Sequence, residues 1–272
     1  MKNNNKKTVE SGAQSIQRAL KITNLIASFN VDGLRVVDVA ESLKISRPTT
    51  YRIMQNLVSE GWLLRKSYRY FLGHKLFELG ITAAPQFKLR ELCQPSLERI
   101  ARRTKQIAFL TIRSGLDAIS ITRSSGKQVD LVALQIGVHR PLGIGAGSLC
   151  LLSNLSDEEV SQIVTANARR IRKYADINTG ILLENVNLCR QRGFAYHDHR
   201  LLNGVSGIAV PITDESGLIL GAISISSFAP SIEHELTYEI VAKLRKEAKI
   251  IQSLIVTDIG YAAEKVRLLS QN

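Results

Sequence analysis

The stretch Val36–Trp62, VVDVAESLKISRPTTYRIMQNLVSEGW, constrains the fold more than any other part of the chain. Val36, Val39, Ala40 and Leu43 recur at helical spacing and define one face of a short helix. Ala40 is small where a second helix must cross closely. Leu43-Lys44-Ile45 then makes a turn, and Ser46 is placed to cap a further helix. Pro48 suits its first turn, where a missing N–H costs nothing. Ile53, Leu57 and Val58 supply the inner face of that helix. Its outer face opens with Arg47, Thr49, Thr50, Tyr51 and Arg52, followed by Gln55. A helix, a tight turn and a helix with a basic, hydroxyl-rich start is a helix-turn-helix, whose second helix presents its N-terminal residues to the major groove. Short hydroxyls meet phosphates or base edges, and arginines read guanine or neutralise phosphate. The candidate DNA-facing set on this helix is therefore Ser46, Arg47, Thr49, Thr50, Tyr51 and Arg52. The competing reading is that Ser46 only caps and the threonines only face water.

The flanks extend this unit. Residues 1–12 are polar and Lys-bearing and read as a disordered arm. Ser15 reads as the N-cap of a helix carrying Ile16, Leu20, Ile22, Leu25, Ile26 and Phe29, and Asp32-Gly33 reads as a turn. Glu60-Gly61 closes the second helix of the motif. Trp62–Leu64 and Tyr68–Leu72 follow as strands about a turn at Arg65-Lys66-Ser67, a hairpin wing whose tip offers Arg65, Lys66 and Arg69 to phosphate or the minor groove. An ordinary charged hairpin tip is the alternative. The expected domain is a winged helix-turn-helix over 13–74.

Charge supports that placement. The chain has 272 residues with 36 Lys+Arg against 24 Asp+Glu, a net of +12. Residues 1–80 hold 13 of the basic and 6 of the acidic residues, a net of +7, so more than half the excess lies in under a third of the length. Double-stranded DNA is the partner that such a footprint suits. Two further basic runs, 102–105 and 169–173, read as solvated helix faces.

Other function classes are excluded by what the sequence lacks. No apolar run reaches the length of a membrane span and residues 1–10 have no apolar signal core, so a soluble cytoplasmic protein without a membrane role is expected. Cys93, Cys150 and Cys189 are odd in number and widely spaced, which argues against a disulfide framework or a zinc site, and no metal or cofactor is expected. No GxSxG, Walker A or HExxH motif occurs. Cys150 with His197 or His199 is the one conceivable nucleophile and base, but Leu149-Cys150-Leu151-Leu152 reads as a buried helix seam. The chain is read as a non-enzyme.

Beyond Gly80, residues 81–90 read as a connecting helix and 95–104 as an amphipathic one. Strand-like runs follow at 108–113, 118–123 and 128–136, helices at 157–167 and 181–192, strands at 207–213 and 218–226 about an Asp214–Gly217 turn, and a last helix at 231–255. Ser156 with Asp157-Glu158-Glu159 is a capping sequence. This is an antiparallel α+β pattern. Gly145-Ala146-Gly147-Ser148 precedes an apolar helical run, so free N–H groups at a helix start could hold a carboxylate. Ser224 and Ser226 alternate with Ile223 and Ile225 and share one strand face. A flexible glycine turn and solvent-facing serines are the bland alternative.

The runs SIQRALKITNLI, VVDVAESLKISRPTTYRIMQNLVSEGWL and YFLGHKLFELG, taken in order, resemble the IclR family of bacterial transcription regulators. GVHRPL at 137–142, RGFA at 192–195, GVSGIAVP at 204–211 and AISIS at 222–226 extend the resemblance over about 15–256. It implies a winged helix-turn-helix domain joined by a linker helix over 75–90 to a GAF-like α+β effector-binding domain over 91–262, acting as a homodimer or homotetramer. It implies a small-molecule effector, commonly an organic acid, in a pocket that by position takes in Ala146, Gly147, His197, Val205, Gly207, Ser224 and Ser226. This sequence departs from the family at three places. Gly207 stands where many members carry Cys, His197-Asp198-His199-Arg200 replaces an acidic cluster, and Gly143 stands where a His is usual. These changes suggest a larger or more anionic effector than the smallest keto acids, such as a carboxylated aromatic or a dicarboxylate. The alternative function is a small-molecule sensor acting through protein partners without specific DNA binding.

Overall fold

The structure is a computed structural model that describes residues 4–84, 88–126, 136–174, 177–202, 204–228 and 234–257, with side chains left undescribed at 4–12, 198–202, 228 and 234–236. It divides into two units, Met1–Pro85 and Gln86–Asn272.

The first unit runs α1 (Asn4–Ser28), α2 (Val36–Leu43), α3 (Arg47–Ser59), β1 (Leu63–Lys66), β2 (Arg69–Leu72) and α4 (His74–Ala83). Helix α1 begins at Asn4, so Ser15 lies inside it and caps nothing, and the arm expected to be disordered is helical from Asn4 onward. Ile22 and Ile26 are its core residues, while Ile16 and Leu20 are 64% and 54% exposed. Leu20 sits two residues from Ile22, about 200° around the helix, so the two cannot share a face. Ile22, Ile26, Val39, Met54, Leu63 and Tyr70 form the core, with half-buried Leu43, Ile53, Leu57 and Val58 packed around it.

Helix α2 is tied at its start by Asp38, whose carboxylate accepts from the Arg35 backbone N–H at 2.9 Å and from its Nε and Nη2 at 3.0 and 2.9 Å. Those hydrogen bonds hold the Asp38 pKa down at about 2. The helix ends on Lys44 in the left-handed region at φ 54°, with the Ile45 N–H donating to Ala40 O at 3.0 Å. The wing pairs Lys66 with Arg69, so its turn is Ser67-Tyr68 and not the expected 65–67. Ser67 takes φ 54°, and Arg65 and Lys66 are strand residues.

The second unit has α5 (Leu89–Thr104), β3 (Ile107–Ser114), β4 (Asp117–Ser125), β5 (His139–Pro141), α6 (Ala146–Ser153), α7 (Asp157–Ile171), α8 (Thr179–Arg192), β6 (Ala195–Leu202), β7 (Val205–Thr213), β8 (Ile219–Phe228) and α9 (His234–Thr257). The stretch expected as a single helix over 75–90 thus carries the body of α4 and the start of α5. The strand expected at 128–136 falls on 127–135, outside the described residues apart from Ile136.

The six strands make one antiparallel sheet in the order β5-β4-β3-β8-β7-β6. Successive residues of a strand face opposite sides of the sheet. Ala108, Leu110, Ile208, Val210, Ile223 and Ile225 join residues of α5 and α9 in one core, whereas Ala209 and Ala222 join α6, α7 and α8 in another. The small residues on that second face let α6 lie close to the sheet, and every residue of α6 is buried. Between α5 and α9, Glu247 is 2% exposed and accepts from Arg99 Nε at 3.1 Å and Nη2 at 2.7 Å. Burial alone raises its pKa, but Arg99, Ser96 and Arg103 outweigh that and hold it below 4.5. Among the described residues no helix is long and apolar enough to cross a bilayer.

Candidate functional site

In the first unit the start of α3 is set by Ser46, whose Oγ accepts from the Thr49 N–H at 3.4 Å and donates to Thr49 Oγ1 at 2.8 Å. Arg47, Tyr51 and Arg52 are exposed beside it. Arg47 meets Glu41 at 3.4 Å across two well-exposed side chains, a contact that water largely screens. Thr50 does not belong to this face. It is fully buried, and its Oγ1 has no hydrogen-bond partner among the described residues. The reason is periodicity: Thr50, Met54 and Leu57 are four and three residues apart and share the inner stripe. Gln55 also turns away from the outer face, its Nε2 donating to the Tyr70 hydroxyl at 3.0 Å to tie α3 to the wing.

On the wing, the Arg65 guanidinium lies 5.9 Å from the Tyr70 ring centre and the Lys66 ammonium 5.8 Å from that of Phe71. Both cations are exposed and steadied on aromatic faces. Arg69 is not a free tip charge. Its Nη1 donates to Gly33 O at 2.9 Å and Asp32 O at 3.3 Å, clamping the α1–α2 loop onto the wing. The tip is instead Tyr68, 79% exposed, which sequence reasoning passed over because a turn shifted by one residue hides it.

In the second unit, the N-terminus of α6 and the facing side of the sheet form a small cavity that opens to solvent. Five of the seven expected residues line it: Ala146, Gly147, His197, Ser224 and Ser226. Strand register explains the grouping, since Ser226 pairs with Gly207, which pairs with His197, while Ser224 pairs with Phe109 and Ala209. Gly207 is not on the wall. A Cβ there would lie 3.0 Å from His197 Nε2 and 3.1 Å from Ala146 Cβ, so its bareness lets the His197 ring and α6 come together. Val205 clusters with Ile107 and Phe109, off the cavity lining. Gly143 also faces elsewhere: it takes φ 103° and a Cβ would meet Leu182 and Leu152 within 2.9 Å, so its lack of a side chain serves the α6–α8 core. The side chains of Asp198, His199 and Arg200 lie outside the described residues.

The remaining lining includes Phe109, Thr111, Ser120, Arg140, Ile144 and Ser148. Ser148 Oγ accepts from the Gly143 N–H at 2.8 Å and donates to Pro141 O at 3.4 Å, which fixes the loop into α6. Thr111 and Ser120 hydroxyls bond each other at 3.2 Å. Ser224 and Ser226 are 4% and 8% exposed, and neither hydroxyl is bonded among the described residues. Burial pushes the Arg140 pKa down, with Tyr174 countering in part, yet a guanidinium keeps its charge. Arg140 reaches the cavity because β5 pairs with β4 through Ala118. A three-residue strand ending in proline gives no alternation signal by which sequence reading could find it.

Neighbouring Asp117 is engaged by Arg170 Nη1 at 2.6 Å and faces His139 Nδ1 at 3.7 Å. Burial raises its pKa, but those partners hold it below the usual carboxylate value. Arg170 therefore has a structural task, unlike the solvated face expected of the 169–173 run. Cys150 is buried, and burial raises its thiol pKa well above the ordinary value. It stays a thiol at neutral pH and is not part of the cavity lining.

Comparison with known proteins matches residues 15–67 to the IclR helix-turn-helix domain and residues 81–253 to the bacterial transcriptional regulator IclR C-terminal domain. The HTH-type transcriptional repressor AllR of Salmonella typhimurium is 24% identical over 251 residues, covering 91% of this chain and 92% of that protein. An IclR transcriptional regulator from Alicyclobacillus acidocaldarius has a similar structure, with a TM-score of 0.71 at 20% identity over 88% of this chain and 98% of the other. An IclR homologue from Microbacterium hydrocarbonoxydans complexed with 4-hydroxybenzoate aligns with a TM-score of 0.66 at 21% identity over 92% and 99% of the two chains.

Proposed function

This chain belongs to the IclR family of DNA-binding transcriptional regulators with a C-terminal ligand-binding domain, and we propose that it binds operator DNA as a homodimer whose affinity is set by a small carboxylate-bearing effector. The observation that carries the DNA half is the exposed group Arg47, Tyr51 and Arg52 at the start of α3, with Arg65 and Lys66 on β1 of the same unit. These are the positions at which a recognition helix and wing meet bases and phosphates. Self-association is supported by apolar side chains left in water, Ile16 and Leu20 on α1 and Phe77 and Ile81 on α4, the last two 71% and 58% exposed. Two copies would then read half-sites one helical turn apart or a multiple of it.

The effector half is supported by the α6 N-terminus, where backbone N–H groups favour an anion, and by two buried serines, Ser224 and Ser226, on the same cavity lining, whose hydroxyls are not bonded among the described residues. A polar group out of water needs a partner, and a carboxylate supplies acceptors for both. The 4-hydroxybenzoate held by the Microbacterium homologue is a ligand of this class. An effector that binds one state of the protein better than another shifts the population competent for DNA.

Retardation of genomic fragments in a gel, repeated over a range of salt, tests the DNA reading. Several phosphate contacts per dimer give a steep negative dependence of log affinity on log salt. No retardation at low salt refutes it and leaves the sensor acting through protein partners.

A further inference from the structure

This inference rests on the reading of the first unit as an operator-binding domain. The geometry points to Tyr68 as a minor-groove wedge: its ring enters at a deformable base step beside the recognition-helix contacts, and the chain selects operators there by how readily the duplex opens, not by reading base edges.

The wing holds one ring out and keeps the others in. Tyr70 is buried, and its hydroxyl accepts from Gln55 on α3. Phe71 lies against the α1–α2 loop, where a Cβ on Gly33 would stand 2.6 Å from its Cζ. Arg69 clamps the same loop, and Leu34 and Tyr70 exchange backbone hydrogen bonds at 2.8 and 3.1 Å. The hairpin is thus fixed to the helical part of the unit along its length. Its end is braced as well. Arg65 Nε donates to Ser67 O at 3.0 Å, and Ser67 holds φ 54°, a region that a residue with a Cβ occupies only at a cost. This turn carries Tyr68 beyond the last strand pair, Lys66 with Arg69. A large ring left 79% exposed on a rigid support is pre-organised for a partner.

The surroundings identify that partner by charge. From Gly61 to Phe77 the chain has no Asp or Glu, while Arg65, Lys66 and Arg69 all fall on the hairpin. The Arg65 and Lys66 heads are exposed and steadied over the Tyr70 and Phe71 rings. An apolar ring projecting past two cations, with no carboxylate on either strand, suits a polyanion with a stacked interior, which is duplex DNA. The minor groove is about 6 Å wide, so two paired strands stay outside on the phosphates while a single ring passes in. Apolar side chains inserted there part a base step and kink the duplex. Pyrimidine–purine steps unstack easily, and A-tracts resist. The phenol brings no charge, so its effect follows the stiffness of the step and not the salt concentration. Sequence preference then arises at a position where no base edge is read.

Genomic fragments retained by the full-length protein supply a footprinted duplex, in which the minor-groove step protected by the wing is set to TA, CA or AA. Wild type, Tyr68→Ala, Tyr68→Phe and Lys66→Ala are compared for affinity, for salt slope and for DNA bend by circular permutation. Wild type should prefer TA or CA over AA and bend the duplex. Tyr68→Ala should bind the TA duplex about 5- to 100-fold more weakly, the effect of losing one aromatic stack. It should also lose the preference among steps and straighten the complex, with salt slope and Tm unchanged. Tyr68→Phe keeps the ring and should match wild type. Lys66→Ala should lower the salt slope by about one and leave the bend and the step preference in place. Unchanged bend and step preference in Tyr68→Ala overturn the wedge and leave the DNA reading standing. A loss in Tyr68→Phe equal to that in Tyr68→Ala assigns the contact to the hydroxyl and overturns the wedge as well. Retention of no fragment by wild type overturns the operator reading itself, and the wedge with it.

Discussion

Replacing Thr50 by Val discriminates between two incompatible readings of the recognition helix. If Thr50 faced DNA, losing its hydroxyl would weaken binding and leave stability nearly untouched. The structure puts the side chain at 0% exposure with its Oγ1 unbonded among the described residues. Valine keeps the branched shape and the helical rotamer, so no cavity opens and packing against Met54 is retained. What is removed is a hydroxyl taken out of water without a replacement hydrogen bond, a burden of about 1–3 kcal/mol. Thr50→Val should therefore stabilise the first unit by about 1 kcal/mol or more. For a unit of this size each kcal/mol raises Tm by about 4–8 °C. Calorimetry of the full-length protein resolves the transition of the first unit, and a gel-shift titration of the same preparation measures DNA affinity, which should be unchanged. A loss of DNA affinity with an unmoved Tm would show that the hydroxyl is spent on the operator and that α3 is rotated from the orientation described. Thr50→Ala serves as a control, since it removes the hydroxyl but also a methyl group and should forfeit much of the gain.

Three other outcomes follow from the same contacts. Arg47→Ala and Arg52→Ala should each weaken DNA binding and reduce the salt slope by about one, with acid binding by the second unit intact; retained specific binding in both variants places the recognition face elsewhere. Arg69→Met should act mainly on stability, because its guanidinium clamps the carbonyls of Asp32 and Gly33; a unit with unchanged Tm but lost DNA binding would return Arg69 to the interface. Glu247 is held below its ordinary pKa in the fold, so the stability it contributes is present above its unfolded value and is lost as pH falls through the folded one. The second unit's Tm should therefore drop on acidification below about pH 4.5, and Glu247→Gln should lower Tm at neutral pH while flattening that acid limb. A parallel acid limb in the variant assigns the loss to other carboxylates.

The helix-turn-helix was legible in the sequence because its signals are local. Ser46 caps α3 as its position before Pro48 suggests, and the 3.6-residue spacing of Val36, Val39, Ala40 and Leu43 marks the inner face of α2. The misplacements there share one cause. Thr50, Gln55 and Arg69 are polar, and polarity was taken as a sign of the outer face, whereas each is turned inward or sideways by its angular place on a helix or its pairing on the wing. Thr50 was recoverable: counting back from Met54 and Leu57 puts it on the buried stripe. Arg69 was not, because its acceptors lie in a loop 36 residues or more earlier and no local pattern joins the two.

The cavity shows where local reading ends. Ser224 and Ser226 were found from strand alternation, and Ala146 and Gly147 from a glycine-rich helix start, each signal spanning a handful of residues. Which other groups face them is decided by the strand order β5-β4-β3-β8-β7-β6, in which strands far apart in the chain become neighbours. Phe109 lies opposite Ser224 because β3 pairs with β8, about 115 residues on. Arg140 enters from the sheet edge because β5 pairs with β4 across the 127–135 stretch. The three sequence departures illustrate the same limit. Gly143, Gly207 and the 197–200 run were expected to widen one pocket together, yet a Cβ on Gly143 would strike the α8 side chain Leu182, and one on Gly207 would strike the His197 ring. Neither glycine enlarges the cavity by leaving a gap in its wall. One permits close packing of α6 against α8, and the other permits close approach of His197 to α6. Arg140 joins the cavity lining although no spacing rule pointed to it.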